Sequence, residues 1–192
     1  MPPTFRCSDT TNRMALKSTI FKAKLGIADL DRPYYADHVL TLARHPSETD
    51  ERMMARLLAF ALFADEKLEF GRGLSTEDEP ALWLKDYSGH IRLWIEVGLP
   101  DERIVRKAAG RADAVVVLAY GGRLVDLWWN KEGKTLAKLA KLRVLALDGE
   151  QSAALAAMAE RGMDLQCTIQ DGQVWLTDGP ATVLIEPRRL AG

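Results

Sequence analysis

Six consecutive residues, Ala114-Val115-Val116-Val117-Leu118-Ala119, carry no polar side chain. A strand with one wet face alternates polar and apolar positions, so an unbroken run with a β-branched centre suits a strand covered on both faces. Cover on both faces means helices on two sides of one sheet, and that confines the chain to a layered α/β arrangement. The neighbouring stretches agree. Pro100-Asp101 opens a basic helix over 101–109, with proline near the first turn, where its missing N–H has no partner to lose. After the run, Gly121-Gly122 turns into an expected strand over 124–129. A basic helix over about 134–142, a strand over 143–147 and a helix over 151–161 follow.

Upstream, residues 17–29 set Ser18, Ile20, Lys22 and Lys24 against Thr19, Phe21, Ala23 and Leu25, the alternation of a half-buried strand. Turn chemistry at 29–33 leads to a second strand over 35–43, closed by Pro46. Ser47 with Asp50 predicts a capped helix start, and Glu48 and Glu51 favour the positive end of the helix dipole. Met54, Leu57, Leu58, Ala61 and Leu62 recur at helical spacing to about residue 64. Residues 68–72 read as a short strand, and two more, around Leu82 and Leu93, join at Tyr87-Ser88-Gly89-His90 as a hairpin. At the far end, residues 165–170 and 173–177 flank Asp171-Gly172, a favoured two-residue hairpin turn, and 183–185 adds a last strand.

The order is therefore a β-hairpin, an α/β core and a β-meander, with the terminal β segments expected to pair as an appended sheet. Residues 1–13 are polar and irregular, contain Pro2-Pro3, and are set aside as a disordered extension. Met14 opens a single domain, 14–192, in which 17–45 and 163–187 form the β extension and 47–162 the α/β core. At 192 residues with a formal charge of −1, the chain can bury a full core but projects no global field toward nucleic acid. Any such contact needs a local patch. Cys7 and Cys167 stand too far apart for a disulfide framework or a zinc site, which points to a reducing cytoplasm. Apolar runs such as 57–64 fall well short of the roughly 20 residues a membrane span needs, so no membrane is expected.

Chemistry concentrates in one stretch. Asp78-Glu79-Pro80 precedes the first strand of the central hairpin, Glu96 lies near the end of the second, and Lys107 waits on the next helix. Clustered carboxylates supply the hard oxygens that magnesium takes, and a cation supports charge developing on a scissile phosphate. Glu96 lies within Leu93-Trp94-Ile95-Glu96-Val97, where burying an unpaired carboxylate is costly. A salt bridge to Lys107 or Arg103 would relieve that cost as well as a metal would. Glu77-Asp78-Glu79 reads equally as a solvated loop, and Lys107 as part of a wet helix face. Arg44 and His45 stand where phosphate would meet a helix N-terminus, or where they would cap the preceding loop. His38 and His90 are isolated, so zinc is not expected. Trp128-Trp129 and Trp175, with Lys131, Lys134, Lys138 and Lys141, form either a stacking surface and basic stripe for nucleic acid or core tryptophans beside a solvated face.

A helix, three meandering strands, a helix and a buried strand resemble the core order of the PD-(D/E)xK nuclease superfamily. There one acid comes from the first helix and one from each of the second and third strands; Glu51, Asp78 or Glu79, and Glu96 fall at those places. The lysine that normally follows the last acid by two residues would be Gly98, and Lys107, or Arg103 one turn earlier, would replace it. More closely, Ala43-Arg44-His45-Pro46-Ser47-Glu48-Thr49 with Glu51-Arg52-Met53-Met54, Asp78-Glu79-Pro80, Trp94-Ile95-Glu96, Gly98-Leu99-Pro100-Asp101-Glu102-Arg103 and Thr168-Ile169-Gln170-Asp171-Gly172 resemble the YaeQ family of bacterial proteins. The resemblance spans nearly everything from Met14 to the C-terminal hairpin.

It implies an α/β (α+β) fold: a nuclease-like mixed sheet flanked by helices, with an added antiparallel β extension. It carries no established reaction. The expectation is a magnesium-dependent phosphodiester hydrolase acting on nucleic acid, with manganese as a substitute ion. Glu51, Asp78, Glu79 and Glu96 supply the metal ligands, Lys107 the electrostatic stabiliser, and Arg44, His45 and Arg103 the substrate contacts. The rival is a non-catalytic interaction protein that kept a nuclease scaffold; a third reading is hydrolysis of a small phosphorylated substrate.

Overall fold

The computed structural model describes residues 18–72 and 79–192. Strands β1 (Thr19–Asp29) and β2 (Tyr34–Arg44) form an antiparallel hairpin, followed by helix α1 (Asp50–Leu62). Strands β3 (Leu68–Phe70), β4 (Leu82–Lys85) and β5 (Ile91–Val97) meander antiparallel. Then come α2 (Glu102–Arg111), β6 (Ala112–Ala119), α3 (Arg123–Leu136), β7 (Leu142–Ala146) and α4 (Gly149–Ala157). The chain closes with β8 (Gly162–Gln170), β9 (Gln173–Thr177), β10 (Thr182–Ile185) and β11 (Arg188–Ala191). Among the described residues the fold is mixed α+β, with two mixed sheets and four helices.

One sheet runs β11-β7-β6-β5-β4-β3, the other β10-β9-β8-β1-β2. Strand β6 lies inside the first, parallel to β5 on one side and β7 on the other. Its apolar run meets the double cover it calls for: Val115, Val117 and Ala119 pack under α2 and α3, while Val116 and Leu118 face the core around α1. The second sheet joins the chain's ends, since β1 pairs in parallel with β8 in the register Lys22↔Gly162 to Asp29↔Ile169. Its inner face, with Phe21, Leu25, Leu42 and Leu165, covers the far side of α1. Helix α1 is thus held between two sheets. Every residue from Met53 to Ala61 is buried, where the sequence pattern marks only one apolar face.

Local differences from the sequence reading have physical reasons. Residues 124–129 are not a strand but the opening turns of α3. Parallel strands β6 and β7 need a crossover long enough to return to the same edge, and α3 supplies it. It buries Val125, Gly133 and Leu136 at helical spacing and leaves Leu124 and Leu127 exposed. The expected basic helix over 134–142 does not form, because α3 ends at Leu136 and β7 begins at Leu142. Helix α1 starts at Asp50, capped by the Thr49 hydroxyl accepting from the Arg52 N–H at 3.2 Å, not by Ser47. Strand β11, four residues with two arginines beside Pro187, was not visible in the pattern; it adds an edge to β7. No helix among the described residues is long and apolar enough to cross a membrane.

Candidate functional site

Alternation along β5 sends Ile95 and Val97 toward α1 and Trp94 toward α2, so Glu96 shares the face of Trp94. The Trp94 indole Nε1 donates to Glu96 Oε1 at 2.7 Å. Burial holds the Glu96 carboxyl above the usual carboxylate range; the indole hydrogen bond and the Arg52 guanidinium pull it part of the way back. Its hydrogen bond thus comes from a neutral group, and the cation that acts on it belongs to α1. Two residues on, Gly98 donates to the Leu118 carbonyl at 3.0 Å with φ at +118°. An L side chain is strained at that angle, so the position of the superfamily lysine cannot carry a lysine without rebuilding the backbone.

Glu51, on the first turn of α1, accepts from the Ser152 hydroxyl of α4 at 2.7 Å. Beside it lies a network that the sequence did not announce. Arg56, 2% exposed, sets Nε 2.8 Å from Glu48 Oε1 and donates through Nη2 to Oε2 at 2.9 Å and to the Ala43 carbonyl at 3.2 Å. Arg52 Nη1 reaches the same Glu48 at 3.1 Å. The four-residue spacing of Glu48, Arg52 and Arg56 was the available signal. Tyr120, at the carboxyl end of β6, stands among these groups. Burial raises its hydroxyl pKa, and Glu51 and Glu48 raise it further, while Arg52 and a hydrogen bond with Thr49 oppose them.

Asp78 lies outside the described residues. Glu79 accepts from the Arg72 N–H at 3.1 Å, and its carboxylate sits 3.7 Å from the Arg72 guanidinium. A Cβ on Gly71 would stand 2.0 Å from the Pro80 carbonyl oxygen, so backbone contact between β3 and the lead into β4 fixes this acid. Glu79 lines a cleft of about 490 Å³ with Trp83, Lys85, His90, Trp94 and Arg111. Trp94, part of that lining, is the residue whose indole donates to Glu96. The sequence had marked neither Trp83 nor Lys85, although Trp83 lies directly opposite Trp94 in the β4–β5 register.

The remaining candidates fall as follows. Lys107 and Arg103 are exposed on α2, whose buried face is Val105 and Ala108; Lys107 is not without a partner. Arg44 pairs with Asp50 and lies over the Phe21 ring, and His45 Nδ1 sits 2.6 Å from the Ser47 hydroxyl, so both serve the turn before α1. Trp128 donates to the Pro100 carbonyl at 2.8 Å within the α2–α3 core. Lys141 closes the end of α2 by donating to the carbonyls of Ala109 and Ala112, so the four lysines form no continuous stripe. Among the described residues no group of three or more His, Cys, Asp or Glu side chains is placed to hold a metal ion. A larger hollow, about 550 Å³, opens at the carboxyl ends of β6 and β7. Its charges are largely satisfied, with Arg188 on Asp126 at 2.7 Å and Asp148 capping α4. Of the predicted acids, Glu79 lines the cleft beside β4, Glu96 is tied to Trp94, and Glu51 is turned to Ser152 of α4.

A family described as "YaeQ protein" matches residues 14–187. The chain is 54% identical over 165 residues to an uncharacterised YaeQ protein of Salmonella typhi, covering 86% of this chain and 91% of that one. It is 52% identical to its counterpart in Escherichia coli K12 over the same shares. The crystal structure of YaeQ protein from Xanthomonas axonopodis pv. citri superposes with a TM-score of 0.89 at 50% identity, over 91% of this chain and 99% of that one. The YaeQ protein of Pseudomonas syringae does so at 0.87 and 38%, over 91% and 97%.

Proposed function

The chain belongs to the YaeQ family, and on that footing we propose that it is a magnesium-dependent phosphodiester hydrolase acting on nucleic acid, built on a PD-(D/E)xK-like core. The observation that carries this reading is Glu96: a carboxylate buried enough to raise its pKa, hydrogen-bonded by the neutral indole of Trp94, which itself lines the cleft that holds Glu79. The donors suit the ion, because magnesium takes one or two protein carboxylates and completes its shell with water and phosphate oxygens. Glu96 with Asp78 or Glu79 would hold it, while Glu51 stays turned to Ser152 of α4. When bound, the ion would neutralise phosphate charge and lower the pKa of a coordinated water. Lys107 supports the charge that builds on the phosphate, since Gly98 leaves that task to another element.

Purified protein is expected to cleave DNA or RNA only with magnesium or manganese, and calorimetry to detect either ion. Glu96→Ala is expected to lower cleavage by about a hundredfold or more while the protein stays folded. Absence of both cleavage and ion binding would remove the reading. A non-catalytic interaction protein is the second reading, favoured by the glycine at position 98 and by the tie between Glu51 and Ser152. On that reading Glu96→Ala changes stability and leaves the biological role intact.

A further inference from the structure

We propose that the cleft between β4 and the last turn of α2 receives an unpaired base of a nucleic-acid strand, stacked on Trp83, with a flanking phosphate met by Lys85. The inference deepens the hydrolase reading, on which it rests for the fate of the strand but not for its binding.

Trp83 is half-buried in the cleft wall, and the Lys85 ammonium lies over its ring, 3.2 Å from the centroid. That contact places the ammonium of a half-buried lysine on one face of the ring, and that is the face a base would take once the lysine moves aside. The lysine stem has the freedom to swing its charge from the ring to a phosphate as the base arrives. The other constraint on the ring is rigid. Trp94, 2% exposed, meets Trp83 edge-on at 6.3 Å and 83°, and its own indole is tied to Glu96. A platform whose orientation is already fixed loses little freedom when a base stacks on it. Trp94 thus links the stacking ring to the Glu96 carboxylate, and Glu79 lines the same cleft as the ring.

The charge balance favours a single strand. The chain carries −1 overall, and the cleft sets Lys85 and Arg111 against Glu79, too few cations to grip a duplex backbone. Stacking must supply much of the affinity, and only an unpaired base offers its flat face. One phosphate contact on a single strand predicts a shallow salt dependence, a slope of roughly −0.7 in log affinity against log salt.

The test is a fluorescence titration of a labelled oligothymidylate, and of a duplex of the same length, with EDTA present so that nothing is cut. The single strand should bind at least about tenfold more tightly than the duplex and quench tryptophan emission. Trp83→Leu should weaken binding by about tenfold or more, while Trp83→Phe stays within a few fold. Lys85→Gln should reduce the salt slope by about 0.7. Should Trp83→Leu fail to fold, the phenylalanine and glutamine variants still decide the matter. Equal or tighter duplex binding, a folded Trp83→Leu that binds like wild type, or no binding at all would overturn the proposal. Cleavage is scored separately after adding magnesium or manganese. Binding through Trp83 without any cleavage keeps this inference and removes the hydrolase; cleavage of single strand and duplex alike, indifferent to Trp83, does the reverse.

Discussion

Burial raises the Glu96 carboxyl even though an indole N–H and the Arg52 guanidinium both favour its ionised form. The consequence for stability has a definite sign. A carboxyl whose folded pKa exceeds its unfolded one binds its proton more tightly in the fold, so below the unfolded value it costs nothing. As pH rises between the two values the unfolded chain releases the proton first, stability falls, and above the folded value the cost is constant. Glu96→Gln keeps the acceptor for Trp94 Nε1 and removes the titration. Wild type and variant should therefore unfold together near pH 4, with the variant the more stable at pH 8, as measured by denaturant titration across that range. A difference that stays the same at every pH would dismiss the burial argument. Cys167 shows the same effect on a thiol: burial first, then Asp29, push it up to about 12, which leaves it a core residue rather than a nucleophile. The burial of Glu96 was legible from its apolar flanks. Its partner was readable only in principle, because the i, i+2 rule of a strand places Trp94 on the same face but does not say that the indole would turn to it.

Helix α1 shows what an element gains from its surroundings. In the sequence Met54, Leu57, Leu58, Ala61 and Leu62 recur at helical spacing, and Arg56 lies off that apolar face. Sandwiched between two sheets it is buried on every face from Met53 to Ala61, so Arg56 is buried against Glu48 and its guanidinium pKa is pulled down by that burial, with Glu48 opposing. Removing one partner strands the other charge. Arg56→Ala is expected to cost roughly 3–5 kcal/mol, whereas Glu48→Leu with Arg56→Met should recover most of it, because the pair's own desolvation largely cancels its attraction. Denaturant midpoints of the two variants give the comparison; equal losses would contradict it. The same dependence on context explains α3. Leu124, Val125, Leu127, Trp128 and Trp129 make a dense apolar run, and density alone does not separate strand from helix. What decides is that β6 and β7 are parallel, a tertiary fact that no local window contains. Hairpins carry their own turn chemistry, and so β1–β2, β4–β5 and β8–β9 were readable where the crossover helix was not.

At the scale of the whole molecule, the β1–β2 hairpin waits for the last third of the chain. Its outer partner is β8, paired in parallel across more than a hundred positions, from Lys22↔Gly162 onward. Until β8 is in place, Phe21, Ala23, Leu25 and Ile27 have a hairpin but no sheet, and α1 lacks full cover on that side. Two truncations separate what this closure contributes from what an edge strand contributes. A chain ending at residue 161 lacks β8 to β11 and should show no cooperative thermal transition and strong binding of a hydrophobic dye, since the layer over α1 is missing. A chain ending at residue 187 loses only β11, a short edge on β7 whose Leu190 and Ala191 add partly buried surface. It should unfold cooperatively with Tm lowered by roughly 3–10 °C, the shift for a loss of about 1–3 kcal/mol in a domain of this size. Pairing over such sequence distance also slows folding, so refolding of the full chain belongs in the millisecond-to-second range. If the chain ending at 161 melts cooperatively near the full-length Tm, the central layers stand without the terminal sheet, and α1 owes its burial to β4, β5 and α4 alone.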